Sequence, residues 1–246
     1  MSEKQNKILK SKVAWKNAPL IEAQFFGRHV SHEDLRSLYS PDTKVLMLKQ
    51  IHSNKIVVID SVQPGAKVAP PADLLPPADA MVTTLPNVAL TIHTADCLPI
   101  LAFDKEVIGA CHGGWRGIES GILENWVDEM AAQGAKKNNL QLSIGPAIGV
   151  CHFEVGKDVA EKLCRVKGVE LPAPWLKKVR VRHSDPQKYF INLRQLAVFR
   201  LINAGVFEKN ISHVDRCTYC EPKKYFSFRR DAEKNKRLES VIVRRL

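Results

Sequence analysis

At 246 residues, 45% hydrophobic and 26% charged, the chain has the composition of a globular protein and the length for one large domain or two small ones. No apolar run approaches the ~18 residues of a membrane helix. The polar, lysine-rich start MSEKQNKILKSKVAWKN lacks the apolar stretch of a secretory signal, so a cytoplasmic protein with six reduced cysteines is expected. A formal charge of +11 reads first as a surface of solvated lysines and raises the question of an anionic partner; with no helix-turn-helix, RNP or zinc-finger spacing, a small anionic molecule is favoured over a specific nucleic acid.

In chain order, KVLMLKQIHSNKIVVID (residues 44–60) predicts two strands around an HSNK turn, because β-branched residues flank Ser53 and Asn54. Residues 61–80 hold Pro64, Pro70, Pro71, Pro76 and Pro77 and predict an extended surface loop rather than a domain boundary. VALTIHTADCLPILAFD and VIGACH predict further strands. GIESGILENWVDEMAAQGA predicts a helix, with Ile118, Ile122, Trp126 and Met130 recurring every fourth residue and Gly134 as its stop. LQLSIGPAIG predicts a strand, GKDVAEKLCRV a short helix, and FINLRQLAVFRLINAGV a longer helix ending at Gly205. ISHVD and LESVIVRR predict closing strands. The alternation describes a mixed α/β domain spanning 1–246 around a large sheet.

Polar residues stand where apolar runs stop. Cys97 ends one strand pattern, His112 ends another, and His52 occupies the tip of a strand-turn-strand unit. One thiolate and two imidazoles suit zinc and leave a fourth position for water, which zinc acidifies to a pKa of about 7. Composition and spacing alone do not single these three out, since a lone His at a turn or a Cys at a strand end is usually packing. His93 shares strand parity with Cys97 and reads as a neighbour; Cys111 has opposite parity to His112 and reads as core. The Cys217-x-x-Cys220 pair has no second pair to complete a four-thiolate site, so a structural role without metal is expected.

The segments KQIHSNKI, TADCLP, CHGGWRGI, IGPAIGVCHFEVG and DRCTYCEPKKYFSFRRD, in that order from about residue 45 to the end, closely resemble the YfiH family, also called laccase-domain proteins, polyphenol oxidases or peptidoglycan editing factors. The resemblance implies a single α/β domain, with helices packed outside the sheets, related to cysteine-dependent toxin domains. It implies zinc held by His52, Cys97 and His112, and activity as a purine nucleoside phosphorylase and adenosine deaminase. Copper is a chemically possible substitute at that site. A multicopper cluster is undersupplied, because the eight His are scattered without a His-x-His pair. FFGRHVSHEDL lacks the family's paired glycines, and the stretch from Ser31 to Lys44 is short for the family; Arg28 matches a family Arg on the substrate side.

Purine nucleoside and phosphate are the expected partners. Trp115 can stack a base, while Arg28, Arg116, Arg229 and Arg230 can seat phosphate. Taking YFSFRR as strand, only one of Arg229 and Arg230 should reach the cleft. Cys97 and His112 are the candidate catalytic groups, with Asp96 as a candidate acid–base group in deamination. Two other readings remain open: an amidase editing peptidoglycan precursors, with zinc-activated water or Cys97 as nucleophile, and a non-enzymatic nucleic-acid binder acting through the basic C-terminus.

Overall fold

The apolar strands divide between two sheets laid face to face, not one large sheet. A computed structural model describes residues 10–246 except 13, 14, 16, 17, 19, 31, 62–75, 167, 183 and 234, so most of the predicted proline-rich loop lies outside the described residues. One sheet has the order β1-β2-β16-β6-β3, from β1 (Lys10–Lys12), β2 (Ile21–Phe26), β3 (Lys44–Met47), β6 (Val88–Thr94) and β16 (Leu238–Arg244). The other has the order β15-β9-β7-β8-β5-β4. Its members are β4 (Ile56–Ile59), β5 (Ala80–Thr83), β7 (Leu98–Asp104), β8 (Val107–Gly113), β9 (Gln141–Ile144) and β15 (Ile211–His213).

Alternation along the strands explains the layers. Leu101 and Ile108 point inward to meet Phe25, Leu90 and Ile242 of the facing sheet. Their neighbours Ile100 and Ala102 point outward, against Trp126 and Met130 of α3 (Ile122–Ala132) and Leu196 and Leu201 of α6 (Leu193–Asn203). Leu35 of α1 (His32–Ser37) covers Val45 and Val241 on the outer face of the five-stranded sheet. Strands buried on both faces read as continuous apolar runs, as VALTI and VIGAC do. Beside these layers lie a three-stranded sheet of β10 (Glu154–Gly156), β14 (Lys188–Ile191) and β13 (Arg180–Arg182), a small hairpin of β11 (Arg165–Val166) and β12 (Val169–Glu170), and helices α4 (Lys157–Leu163) and α5 (Ala173–Val179).

Three local expectations are corrected. The strands either side of His52 do not pair with each other: β3 belongs to one sheet and β4 to the other. The helix predicted through Ile118 and Met130 is two helices, α2 (Trp115–Glu119) and α3, because Gly121 at φ 93° takes a left-handed turn between them. The helix predicted from Phe190 starts at Leu193, where the Asn192 side chain accepts the Gln195 N–H at 3.2 Å and caps it, while Ile191 still belongs to β14. The stops at Gly134 and Gly205 fall two residues past the ends of α3 and α6. Among the described residues no helix is long and apolar enough to cross a membrane.

Candidate metal centre and its cleft

Two crossings between the sheets carry two of the three donors. The β3–β4 connection holds His52, the β6–β7 connection holds Cys97, and the crossings meet with Cys97 Sγ 3.9 Å from His52 Nε2. His112, near the end of β8, lies opposite Pro99 and so comes beside Cys97. The ligand atoms of the three lie within 4.8 Å of one another.

Asp79, directly before β5 and fully buried, organises this corner. Its Oδ1 accepts His112 Nδ1–H at 2.8 Å and the His52 N–H at 2.9 Å. Its Oδ2 accepts the Ser53 N–H at 2.6 Å and hydroxyl at 2.8 Å. Sequence reasoning missed it, since PADA following a proline run looks like loop. The bond to Nδ1 fixes the imidazole and leaves His112 Nε2 toward the cleft, the carboxylate–histidine arrangement that orients metal ligands. The N–H bonds also hold His52 at φ 60°, a conformation costly for a residue with a Cβ.

Electrostatics follow from this geometry. Burial pushes the Cys97 thiol up, but the imidazoles of His112 and His52 outweigh it and bring the pKa down to about 6. Burial disfavours a charged His112, yet Cys97 and Asp79 raise it to about 9. Burial likewise opposes ionisation of Asp79, while His112 and Ser53 lower it to about 2. The donor set therefore favours the deprotonated thiol that a metal requires. Gly114 supplies the space: a Cβ there would sit 2.9 Å from His52 Cδ2, 3.4 Å from His112 Cε1 and 3.6 Å from Cys97 Sγ. Its backbone, φ −69° and ψ 149°, is ordinary, so room rather than conformation demands glycine. A soft, borderline ion such as zinc fits this thiolate–imidazole set.

The donors open onto a cavity of about 670 Å³ also lined by Trp115, Phe153, Phe228, Arg116, Arg229 and Arg237. The Arg116 guanidinium lies 4.4 Å over the Trp115 ring. Arg237 was not anticipated; its only signal is a basic run ahead of the last strand. His93 also faces the cavity but pairs with Glu239 at 3.0 Å across β6 and β16. Cys111 is fully buried in the core, and burial raises its thiol well above the usual range.

Several candidate residues have other work. Asp96, the sole carboxylate among the described lining residues, is not free for proton transfer. Its Oδ1 accepts Thr218 Oγ1–H at 2.5 Å, and its Oδ2 accepts Ser227 Oγ–H at 3.1 Å and the Arg229 N–H at 2.7 Å. It is a clamp between the β6–β7 crossing and the C-terminal segment. Arg28 lies away from this cavity, in a shallow basic depression with Lys223 and Lys236, where its guanidinium donates to the Pro222 carbonyl. Arg229 and Arg230 sit on a short helix, α7 (Phe228–Asp231), not a strand. Ser227 Oγ accepts the Arg230 N–H and Asp231 Oδ2 accepts the Ser227 N–H, both at 3.2 Å, a reciprocal cap that starts the helix. Arg229 lines the cavity and donates to the His152 and Glu154 carbonyls. Arg230 turns inward and donates to the Thr218, Tyr219 and Tyr225 carbonyls.

The Cys217–Cys220 pair, expected to lack partner donors, has two beside it. Cys151 and His152 complete a four-donor group with it, all ligand atoms within 4.8 Å. A sequence scan for a second Cys-x-x-Cys pair misses it, because the partners are an adjacent Cys and His.

A family model described as multi-copper polyphenol oxidoreductase laccase matches residues 30–245. The chain is 35% identical over 191 residues to the purine nucleoside phosphorylase YfiH of Shigella flexneri, an alignment covering 77% of this chain and 70% of that one. It is 32% identical over 188 residues to adenosine deaminase RL5 of an unknown prokaryotic organism, covering 76% and 70%. The crystal structure of a Neisseria meningitidis protein superimposes with a TM-score of 0.77 at 26% identity, covering 96% of this chain and 99% of that one.

Proposed function

The chain belongs to the YfiH family, and on that premise we propose that it is a zinc-dependent enzyme that phosphorolyses purine nucleosides and deaminates adenosine. The observation that carries this reading is the convergence of His52, Cys97 and His112 on one wall of a cavity that Arg116, Arg229 and Arg237 also line. A zinc ion held by those three donors supplies Lewis acidity when bound. Arg229, with Arg116 and Arg237, seats phosphate through planar guanidinium groups. A phosphate oxygen forms the bond to ribose C1′ as the C1′–N9 bond breaks, and the purine leaves with the electron pair. Trp115 and Phe228 offer flat apolar faces for the base. Deamination forms a bond from a water oxygen to C6 as the C6–N bond breaks and ammonia leaves, and it does not call on the phosphate seat, which separates the two reactions experimentally.

The test is product analysis with adenosine, with and without phosphate, alongside zinc content. Adenine and ribose 1-phosphate are expected with phosphate, and inosine without it; zinc-loaded protein that forms neither refutes the reading. The second reading, an amidase with Cys97 as nucleophile, draws support from a thiol held near 6 beside two imidazoles. Zinc would withdraw that thiolate from attack, so activity that rises on zinc removal favours the amidase. The nucleic-acid reading loses support, because C-terminal arginines are committed within the fold: Arg230 to three carbonyls, Arg244 to the Thr84 carbonyl, and Arg245 to Glu22 and Thr43.

A further inference from the structure

We propose that Cys151, His152, Cys217 and Cys220 form a second metal site, a closed tetrahedral zinc centre that fastens one wall of the cleft. The parallel pairing of β9 and β15 brings the two segments together and runs on past both strand ends. An isolated bridge joins Ala147 to Cys217, and the Thr218 N–H donates to the Ala147 carbonyl at 3.0 Å.

The spacing of the donors is that of a coordination shell. Zinc bonds of ~2.3 Å to sulfur and ~2.0–2.1 Å to nitrogen, directed tetrahedrally, separate sulfurs by about 3.8 Å and a sulfur from a nitrogen by about 3.6 Å. Cys151 Sγ lies 3.6 Å from both Cys217 Sγ and Cys220 Sγ. His152 Nδ1 lies 3.2 Å from Cys151 Sγ and 3.3 Å from Cys220 Sγ. Sulfurs at these separations are not disulfide-bonded, where about 2.05 Å is required, and the ligand atoms of all four residues lie within 4.8 Å of one another.

The surroundings hold the donors in this arrangement. The His152 ring stacks on Tyr219, centroids 3.9 Å apart and planes 17° apart, which aims Nδ1 at the sulfurs. The Gly149 N–H donates to Cys217 Sγ at 3.2 Å, and a Cβ on Gly149 would lie 3.1 Å from Cys151 Sγ. Cys217-x-x-Cys220 has the knuckle spacing of structural zinc sites. The two clusters also differ in kind: three donors open to a cavity suit a reacting metal, whereas four protein donors suit a structural one. Structure around the second cluster reaches the first, since Thr218 bonds Asp96, next to Cys97, and the His152 carbonyl accepts from Arg229.

The test is zinc stoichiometry of the full chain, reconstituted with zinc sulfate under reductant. Two zinc ions per chain are expected in the wild type, one in Cys97→Ala, one in Cys220→Ser and none in the double variant. Cys151 and Cys220 are exposed, so their replacement leaves no buried void; circular dichroism checks the fold. A second measurement needs no variant at this cluster: cobalt(II) added to Cys97→Ala should give the intense charge-transfer absorption of a three-thiolate tetrahedral centre. One zinc in the wild type with none in Cys97→Ala overturns the proposal. So does a cobalt spectrum without thiolate absorption, or a disulfide between Cys151 and either partner formed under reductant and zinc.

Discussion

Asp79→Asn preserves size and shape while removing the charge that organises the metal corner. In the wild type, Oδ1 receives two N–H groups and Oδ2 receives two N–H groups and a hydroxyl, with no solvent access. Whichever way an amide is turned, its NH₂ faces donors. The carboxyl titrates at about 2 instead of 3.8, which converts to about 2 kcal/mol of stability. Because the folded pKa is depressed, that stability is present above pH 3.8 and is lost as pH falls through about 2. Breaking a buried pair adds the cost of leaving His112 uncompensated, so the total should be about 3–5 kcal/mol. At ~2–4 °C per kcal/mol for this chain length, Tm should fall by roughly 6–20 °C in zinc-free protein at pH 7. Zinc affinity at this site, measured by chelator competition, should weaken by about 10–100-fold. A Tm within about 2 °C of wild type with unchanged affinity would refute the role given to Asp79.

Gly114→Ala should weaken zinc binding at the first site by about tenfold or more with little change in Tm, because the new methyl meets His52 and the backbone is unstrained; chelator competition and thermal unfolding read both arms. Arg229→Ala should weaken phosphate use by about 1.5–3 kcal/mol, roughly 10–150-fold in kcat/KM for phosphate, and change deamination much less. Arg230→Ala should instead lower Tm and affect both reactions alike, since its guanidinium ties three carbonyls together; equal, small effects from the two variants count against the division. In metal-free protein, alkylation of Cys97 by iodoacetamide, followed on its own peptide by mass spectrometry, should rise through pH about 6 and level off by pH 8. A rate still climbing past pH 8, as for an ordinary thiol, means His112 and His52 do not hold the thiolate.

Continuous apolar runs and β-branched residues made the strands legible, along with the fact that Cys97 and His112 stand at their ends. It was the run of motifs, more than composition, that singled out His52, Cys97 and His112 as a set. Helix α7 was misread because YFSF has strand character, while the cap between Ser227 and Asp231 acts over only four residues. Asp79 looked like loop because its partners, Ile51 to Ser53 and His112, are distant in sequence and meet it only in the fold. Cys151 and Cys217 are 66 residues apart, and only the register of β9 against β15 makes them neighbours. An alternating pattern tells a residue which face it occupies. Which residue lies across from it is decided when strands distant in sequence settle on one register under the packing of both sheet faces.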